Sequence, residues 1–142
     1  MKVIINFPEI HTLVKSRTGR EVVLSAIDER TIKAEAKVSV KIPFLGNIEK
    51  AIGLNVTVEG IDGQDVHLRY DGGMGTDMII GGLLTFLSST PAKKMVEKVE
   101  GNSIVVHLSE IEEARKVLDI FELTNITFQN DSIVVDGRVK HI

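Results

Sequence analysis

Ile32-Lys-Ala-Glu-Ala-Lys-Val-Ser-Val-Lys-Ile42 alternates apolar and polar side chains over eleven residues. Ile32, Ala34, Ala36, Val38, Val40 and Ile42 share one side of an extended chain, and Lys33, Glu35, Lys37, Ser39 and Lys41 share the other. Successive side chains of a strand point to opposite faces, so a period of two defines a strand with one apolar and one wet face. Such a strand belongs in an antiparallel sheet with a solvated side.

The neighbours of this stretch extend the pattern. Glu21 to Ile27 reads as a second strand, joined to the first through Asp28-Glu29-Arg30. Pro43 and Gly46 end the long strand, and Asn47 to Ile52 reads as a helical turn or a loop. Leu54, Val56 and Val58 then alternate with Asn55, Thr57 and Glu59. Val66, Leu68 and Tyr70 alternate with His67 and Arg69, and Asp62-Gly63 between the two runs is a hairpin turn signal.

The chain changes character at Asp71-Gly72-Gly73-Met74-Gly75. Thr76 or Asp77 suits a helix cap. Met78 to Leu87 is apolar except for Gly81, Gly82 and Thr85, and a helix apolar nearly all round must be buried on several sides. Thr90-Pro91 predicts a second helix, with Met95, Val96 and Val99 on one side and Gly101-Asn102 as its stop. Ser103 to Leu108 reads as a strand. Ser109 and Glu112 have capping-box spacing, which predicts a third helix carrying Ile111, Ala114, Val117, Leu118 and Phe121. Leu123–Phe128 and Ser132–Lys140 form a last hairpin about Asn130-Asp131. Asn55-Val-Thr-Val-Glu59 echoes Asn125-Ile-Thr-Phe-Gln129, but alternating strands resemble one another by construction, so the echo is thin support for duplication.

The expectation is a single α+β domain over residues 1–142. Its sheet should be curved and mostly antiparallel, with about six to seven strands built from hairpins and packed against two to three helices. Length alone allows a core without disulfides or metal. Hydrophobic residues make up 43% of the chain, which argues against disorder. Aromatics are only 4%, with no Trp and Tyr70 as the single Tyr, so base-stacking platforms for nucleic acid are lacking. The net charge of −3 comes without a basic run to track a phosphate backbone. There is no Cys, which removes disulfides and thiolate metal sites.

The apolar run at the N-terminus stops at Phe7, too short for a secretory signal core. No stretch approaches the ~20 apolar residues of a membrane span. For a complete chain, the cytoplasm is the default location. A trimmed chain would hide an export signal.

Candidate chemistry is sparse. His11, His67, His107 and His141 form neither HxH nor HExxH, although His67 and His107 lie on strands that could meet. Ser88-Ser89 lacks a nucleophile elbow. Glu112-Glu113 and Asp28-Glu29 read as surface pairs. Gly72-Gly73-Met74-Gly75 lacks the Walker Lys, and Asp71 and Asp77 would repel an anion, so a hinge is the better reading. No enzyme, metal or cofactor is expected. Lys33, Lys37 and Lys41 read as a solvated anti-aggregation face, with contact to lipid headgroups as the alternative.

Ser103-Ile-Val-Val-His-Leu-Ser-Glu-Ile111, a helix, then Leu123-Thr-Asn-Ile-Thr-Phe128, a turn and Ser132-Ile-Val-Val-Asp-Gly-Arg-Val139 form one pattern. It resembles the closing segment of small bacterial relatives of the tubular lipid-binding (BPI-like) superfamily. The resemblance covers roughly 40 residues and rests on pattern, without an invariant motif. It implies a helix lying along a curved antiparallel sheet, a groove for lipid and no catalytic residues. Those relatives usually carry an export signal or lipid anchor, and neither is visible here.

The functional expectation is therefore a non-enzymatic binding domain for a lipid-like or apolar ligand. The site residues would be Met74, Met78, Ile79, Gly82, Leu83 and Phe86 on the helical side, and Ala34, Ala36 and Val38 on the sheet. The alternative is a homo-oligomeric interaction or structural module with no small ligand.

Overall fold

The computed structural model describes residues 2–18, 21–72, 76, 80–81, 84 and 94–140. Among them, nine strands make two antiparallel sheets. The smaller has the order β1-β9-β8, from β1 (Lys2–Asn6), β8 (Phe121–Gln129) and β9 (Ser132–Val139). The larger has the order β2-β3-β4-β5-β7-β6. Its strands are β2 (Val22–Ala26), β3 (Thr31–Ile42), β4 (Gly46–Asp62), β5 (Asp65–Gly72), β6 (Val96–Val99) and β7 (Ser103–His107). The α+β class and the antiparallel hairpins agree with the sequence, but the strands divide between two sheets rather than forming one.

Helix α1 (Phe7–Thr18) follows β1 directly, and its start has a local cause. The Asn6 side chain accepts from the Glu9 backbone N–H at 3.0 Å and donates to the Glu9 carboxylate at 3.0 Å. These bonds satisfy an otherwise orphaned amide, and Pro8 in the first turn has no N–H to lose. The Phe7 N–H donates to the Asp131 carbonyl at 2.7 Å, which ties the helix to the β8–β9 turn.

Three segments depart from the sequence reading. Residues 47–52 are neither helix nor loop: β4 begins at Gly46 and pairs with β3 throughout, from Ile42↔Gly46 to Thr31↔Thr57. Ile48 and Ile52 take register positions opposite Val40 and Ala36.

The helix expected after Thr90-Pro91 is replaced over its second half by β6, which pairs with β7 from Val96↔Val106 to Val99↔Ser103. Gly101, with φ of 74°, sits in the left-handed region within a three-residue turn. A helix-stopping glycine and a hairpin glycine satisfy the same backbone demand, so their sequences look alike.

The last helix, α2 (Glu112–Leu118), is capped at Ile111 without a side-chain bond. Ser109 instead lies in a 3-10 turn, Leu108–Glu110, so the capping box does not form. Phe121 opens β8 rather than closing the helix.

The principal core lies where the elements converge. Phe7 of α1, Ile32, Val58 and Val66 of the large sheet, and Leu123 and Phe128 of the small sheet form one buried cluster. Truncating Phe128 to Ala there would cost about 3–5 kcal/mol. The β2–β3 turn reaches the small sheet directly. The Phe128 N–H donates to the Glu29 carbonyl at 2.9 Å, while the Val58 N–H donates to the Arg30 carbonyl at 2.8 Å.

Candidate functional site

The register of the large sheet puts three rows on its apolar face. Ile32, Val56 and Tyr70 form one, Leu24, Ala34, Leu54 and Gly72 the next, and Val22, Ala36 and Ile52 the third. The first row is the most covered: Ile32 is 7% exposed and Tyr70 1%, with Val56 half-buried between them. The outer rows are not, since Leu24, Ala34, Ala36, Ile52 and Leu54 are all half-buried. Val38 continues the sequence at the register position opposite Lys50. Ala34, Ala36 and Val38 thus hold register positions on one face, as the alternation predicts.

The helical segment meets this face. Thr76, Ile80, Gly81 and Leu84 are helical, and the spacing of four places Thr76, Ile80 and Leu84 on one side. Ile80 is buried with Tyr70 and Ile104, and Leu84, Leu54, Val56 and Leu68 pack around them. Thr76 is already inside the helix, so it is not the cap. Its side chain lies against Gly72, where an added Cβ would collide with the Thr76 hydroxyl and stand 3.1 Å from the Gly53 carbonyl oxygen. The missing side chain at Gly72 lets Thr76 sit directly on β4 and β5. Met74, Met78, Ile79, Gly82, Leu83 and Phe86 lie outside the described residues.

The opposite face of β5, β7 and β6 carries the polar groups. His67 and His107 both point there. The strands bring them to one surface, but they do not share a partner. His107 Nδ1 lies 2.8 Å from Asp65 Oδ1, and its Nε2 lies 3.0 Å from Glu97 Oε2. A ring bonded to carboxylates through both nitrogens is satisfied only when both carry protons. The hydrogen bond to Asp65 first, and that to Glu97 second, raise the His107 pKa above its ordinary 6.5. In that doubly protonated form the ring has no lone pair to give a metal. Among the described residues, no group of three or more His, Asp or Glu is placed to hold an ion. The sequence offered no signal for this cluster, because Asp65, Glu97 and His107 come from three strands, one of them read as helix.

Among the described residues, two hollows open on the surface. One, of about 410 Å³, lies beside the β4 bulge, lined by Glu59, His67, Leu68, Val99, Ser103 and Ile104 among others. The second, of about 560 Å³, lies between the β2–β3 and β8–β9 turns and includes Asp28, Glu29, Gln129 and Asn130.

Fold and face together define an α+β domain with two antiparallel sheets and a half-covered apolar surface. No family model, no curated protein and no solved structure matches the chain. Among the described residues, no helix is long and apolar enough to cross a membrane.

Proposed function

We propose that this chain is a non-enzymatic binding domain that holds an apolar, lipid-like molecule along the large sheet. The ligand lies on Ala34, Ala36, Ile52 and Leu54, beside the helix that brings Ile80 and Leu84. One observation carries this reading: the apolar face is longer than the core that covers it. It is sealed at Tyr70 and Ile80 and half-open at Ala34 and Ala36. Small side chains leave width there, and an aliphatic occupant would gain about 25 cal/mol per Å² removed from water. A curved sheet with a helix along it, as in the tubular lipid-binding superfamily, is the form this reading takes.

Native mass spectrometry of the gently purified chain should show an apolar adduct. A fluorescent fatty acid should bind saturably, and Ala36→Glu should weaken it at least tenfold without lowering the thermal midpoint by more than a few degrees. A clean apo mass together with no probe binding would sink the proposal.

A second reading, a homo-oligomeric module, is favoured by one separate observation. β1 is the outer strand of the small sheet, and its Val3, Ile4 and Ile5 are 45%, 62% and 37% exposed. An open apolar edge is a template for another strand.

A further inference from the structure

The tip of the β3–β4 hairpin spends apolar surface and backbone strain on nothing inside the molecule. Ile42-Pro-Phe-Leu-Gly46 makes the turn, and the Leu45 N–H donates to the Ile42 carbonyl at 3.2 Å across Pro43 and Phe44. Proline at the first central position and a positive φ at the second are the marks of a type II turn, whose second position ordinarily takes Gly or Asn. Here it is Phe44, at φ of 71°. The side chain is fully exposed, and that of Leu45 is 72% exposed. A large residue in the left-handed region costs free energy, and so does an aromatic ring held in water. A glycine would make the same turn without either cost.

Charge around the tip is mainly basic. Lys41 and Lys37 are exposed on β3, and Glu49 is the single acid from Ala36 to Gly53. The whole chain has the opposite excess, with a net charge of −3. At about 3.3 Å per residue, Lys41 stands about 10 Å behind Phe44.

We infer that this hairpin is a membrane-docking arm, in which Phe44 and Leu45 enter the interface of an anionic bilayer and the lysines meet its headgroups. The depths agree: interfacial apolar groups sit about 5–10 Å below the headgroup boundary, which leaves Lys41 at phosphate level. A protein partner fits less well. A stable protein interface buries roughly 1,600 Å² in all, whereas a Phe side chain supplies about 150–250 Å². A convex point of two side chains needs no matching pocket in a lipid surface, and anionic lipid supplies the complementary charge. The arm projects beyond the ligand rows, so this inference does not depend on the proposed binding of an apolar molecule.

The test uses the full chain and vesicles of phosphatidylcholine with or without about 30% phosphatidylglycerol, a composition anionic enough to draw basic segments. Co-sedimentation should require the anionic lipid and fall at least fivefold at high salt. Phe44→Gly with Leu45→Ser should abolish it while leaving the thermal midpoint unchanged or raised, because the strain is relieved. Lys37→Gln with Lys41→Gln should weaken it without affecting fatty-acid binding. Since the chain has no Trp, Phe44→Trp gives a single reporter, whose emission should shift to the blue on anionic vesicles. Sedimentation that survives loss of the tip, an unshifted emission from the introduced indole, or a lipid-free dimer abolished by Phe44→Gly would each overturn the inference.

Discussion

Arg30 Nη1 donates to Asn125 Oδ1 at 2.8 Å, across the boundary between the two sheets. The same nitrogen lies 3.4 Å from the Ile126 carbonyl. Asp28 Oδ1 accepts the Arg30 backbone N–H at 2.8 Å and so shapes the turn that presents the guanidinium. The contact is exposed, so its net contribution is about 1 kcal/mol. Arg30→Ala and Asn125→Ala should each lower stability by about that amount. A double-mutant cycle should then give a clear coupling energy, and strictly additive losses would show that the pair is not formed in solution.

That junction also shows what the sequence could convey. The echo of Asn55–Glu59 in Asn125–Gln129 places Val58 and Phe128 at equivalent positions. Both donate their backbone N–H to the one turn, Val58 to Arg30 and Phe128 to Glu29. The pattern identified two strands of similar make-up. It could not place them in different sheets, because alternation reports which side of a strand is apolar and not which strand lies beside it. The same limit applies at β6. Val96 and Val99 are three apart, which suits a helix face, and pairing with β7 outweighs that local preference. β1 and α1 lie outside the elements expected from the sequence, although Asn6, Pro8 and Glu9 carry a local capping signal that needs no tertiary information. At the candidate site, alternation alone placed Ala34, Ala36 and Val38 on one face. The extent to which core covers that face depends on contacts among distant segments.

The clamp of His107 between Asp65 and Glu97 makes the β5–β7–β6 edge sensitive to pH. Its folded pKa lies above the ordinary 6.5. The stabilisation is therefore complete below about pH 6.5, where the unfolded ring is also charged, and fades as pH rises through the folded value. Proton NMR of the imidazole should give a midpoint above the ordinary 6.5, and His107→Gln should remove this part of the pH dependence of stability. After correction for intrinsic rates, amide exchange across Val96–Val99 should speed up on the alkaline side of that midpoint. A native midpoint at or below the ordinary value would refute the clamp.

Gly137 is required for a packing reason. It lies on β9 opposite Leu123, and the ring of Phe121 together with the Glu122 backbone carbonyl occupies the space that its Cβ would need. Phe121 is only 5% exposed, so the ring cannot swing into water without losing its burial. Gly137→Ala should cost about 1–3 kcal/mol through overpacking, and Gly137→Val more. Combining Gly137→Ala with Phe121→Leu should recover part of the loss, because the smaller side chain frees that space. Chemical denaturation of the three variants measures this directly, and a neutral Gly137→Ala would contradict the packing.

The two edges of the small sheet differ in a way that bears on assembly. β8 is covered in part by the β2–β3 turn, through the bond from Phe128 to Glu29. β1 pairs with β9 on one side and, among the described residues, has no strand partner on the other. An antiparallel pairing of two β1 strands about a two-fold axis through Ile4 would set Lys2 against Asn6, with no like charges opposed. It would also join two three-stranded sheets into one and cover part of Val3, Ile4 and Ile5. Sedimentation velocity over a hundredfold concentration range should then show a reversible dimer. Ile4→Lys would place two like charges at the axis and should shift the chain to monomer. Because Ile4 is 62% exposed, the thermal midpoint of the isolated chain should barely move. A wild-type chain that stays monomeric throughout, or a dimer indifferent to Ile4→Lys, would exclude β1 as the joining edge.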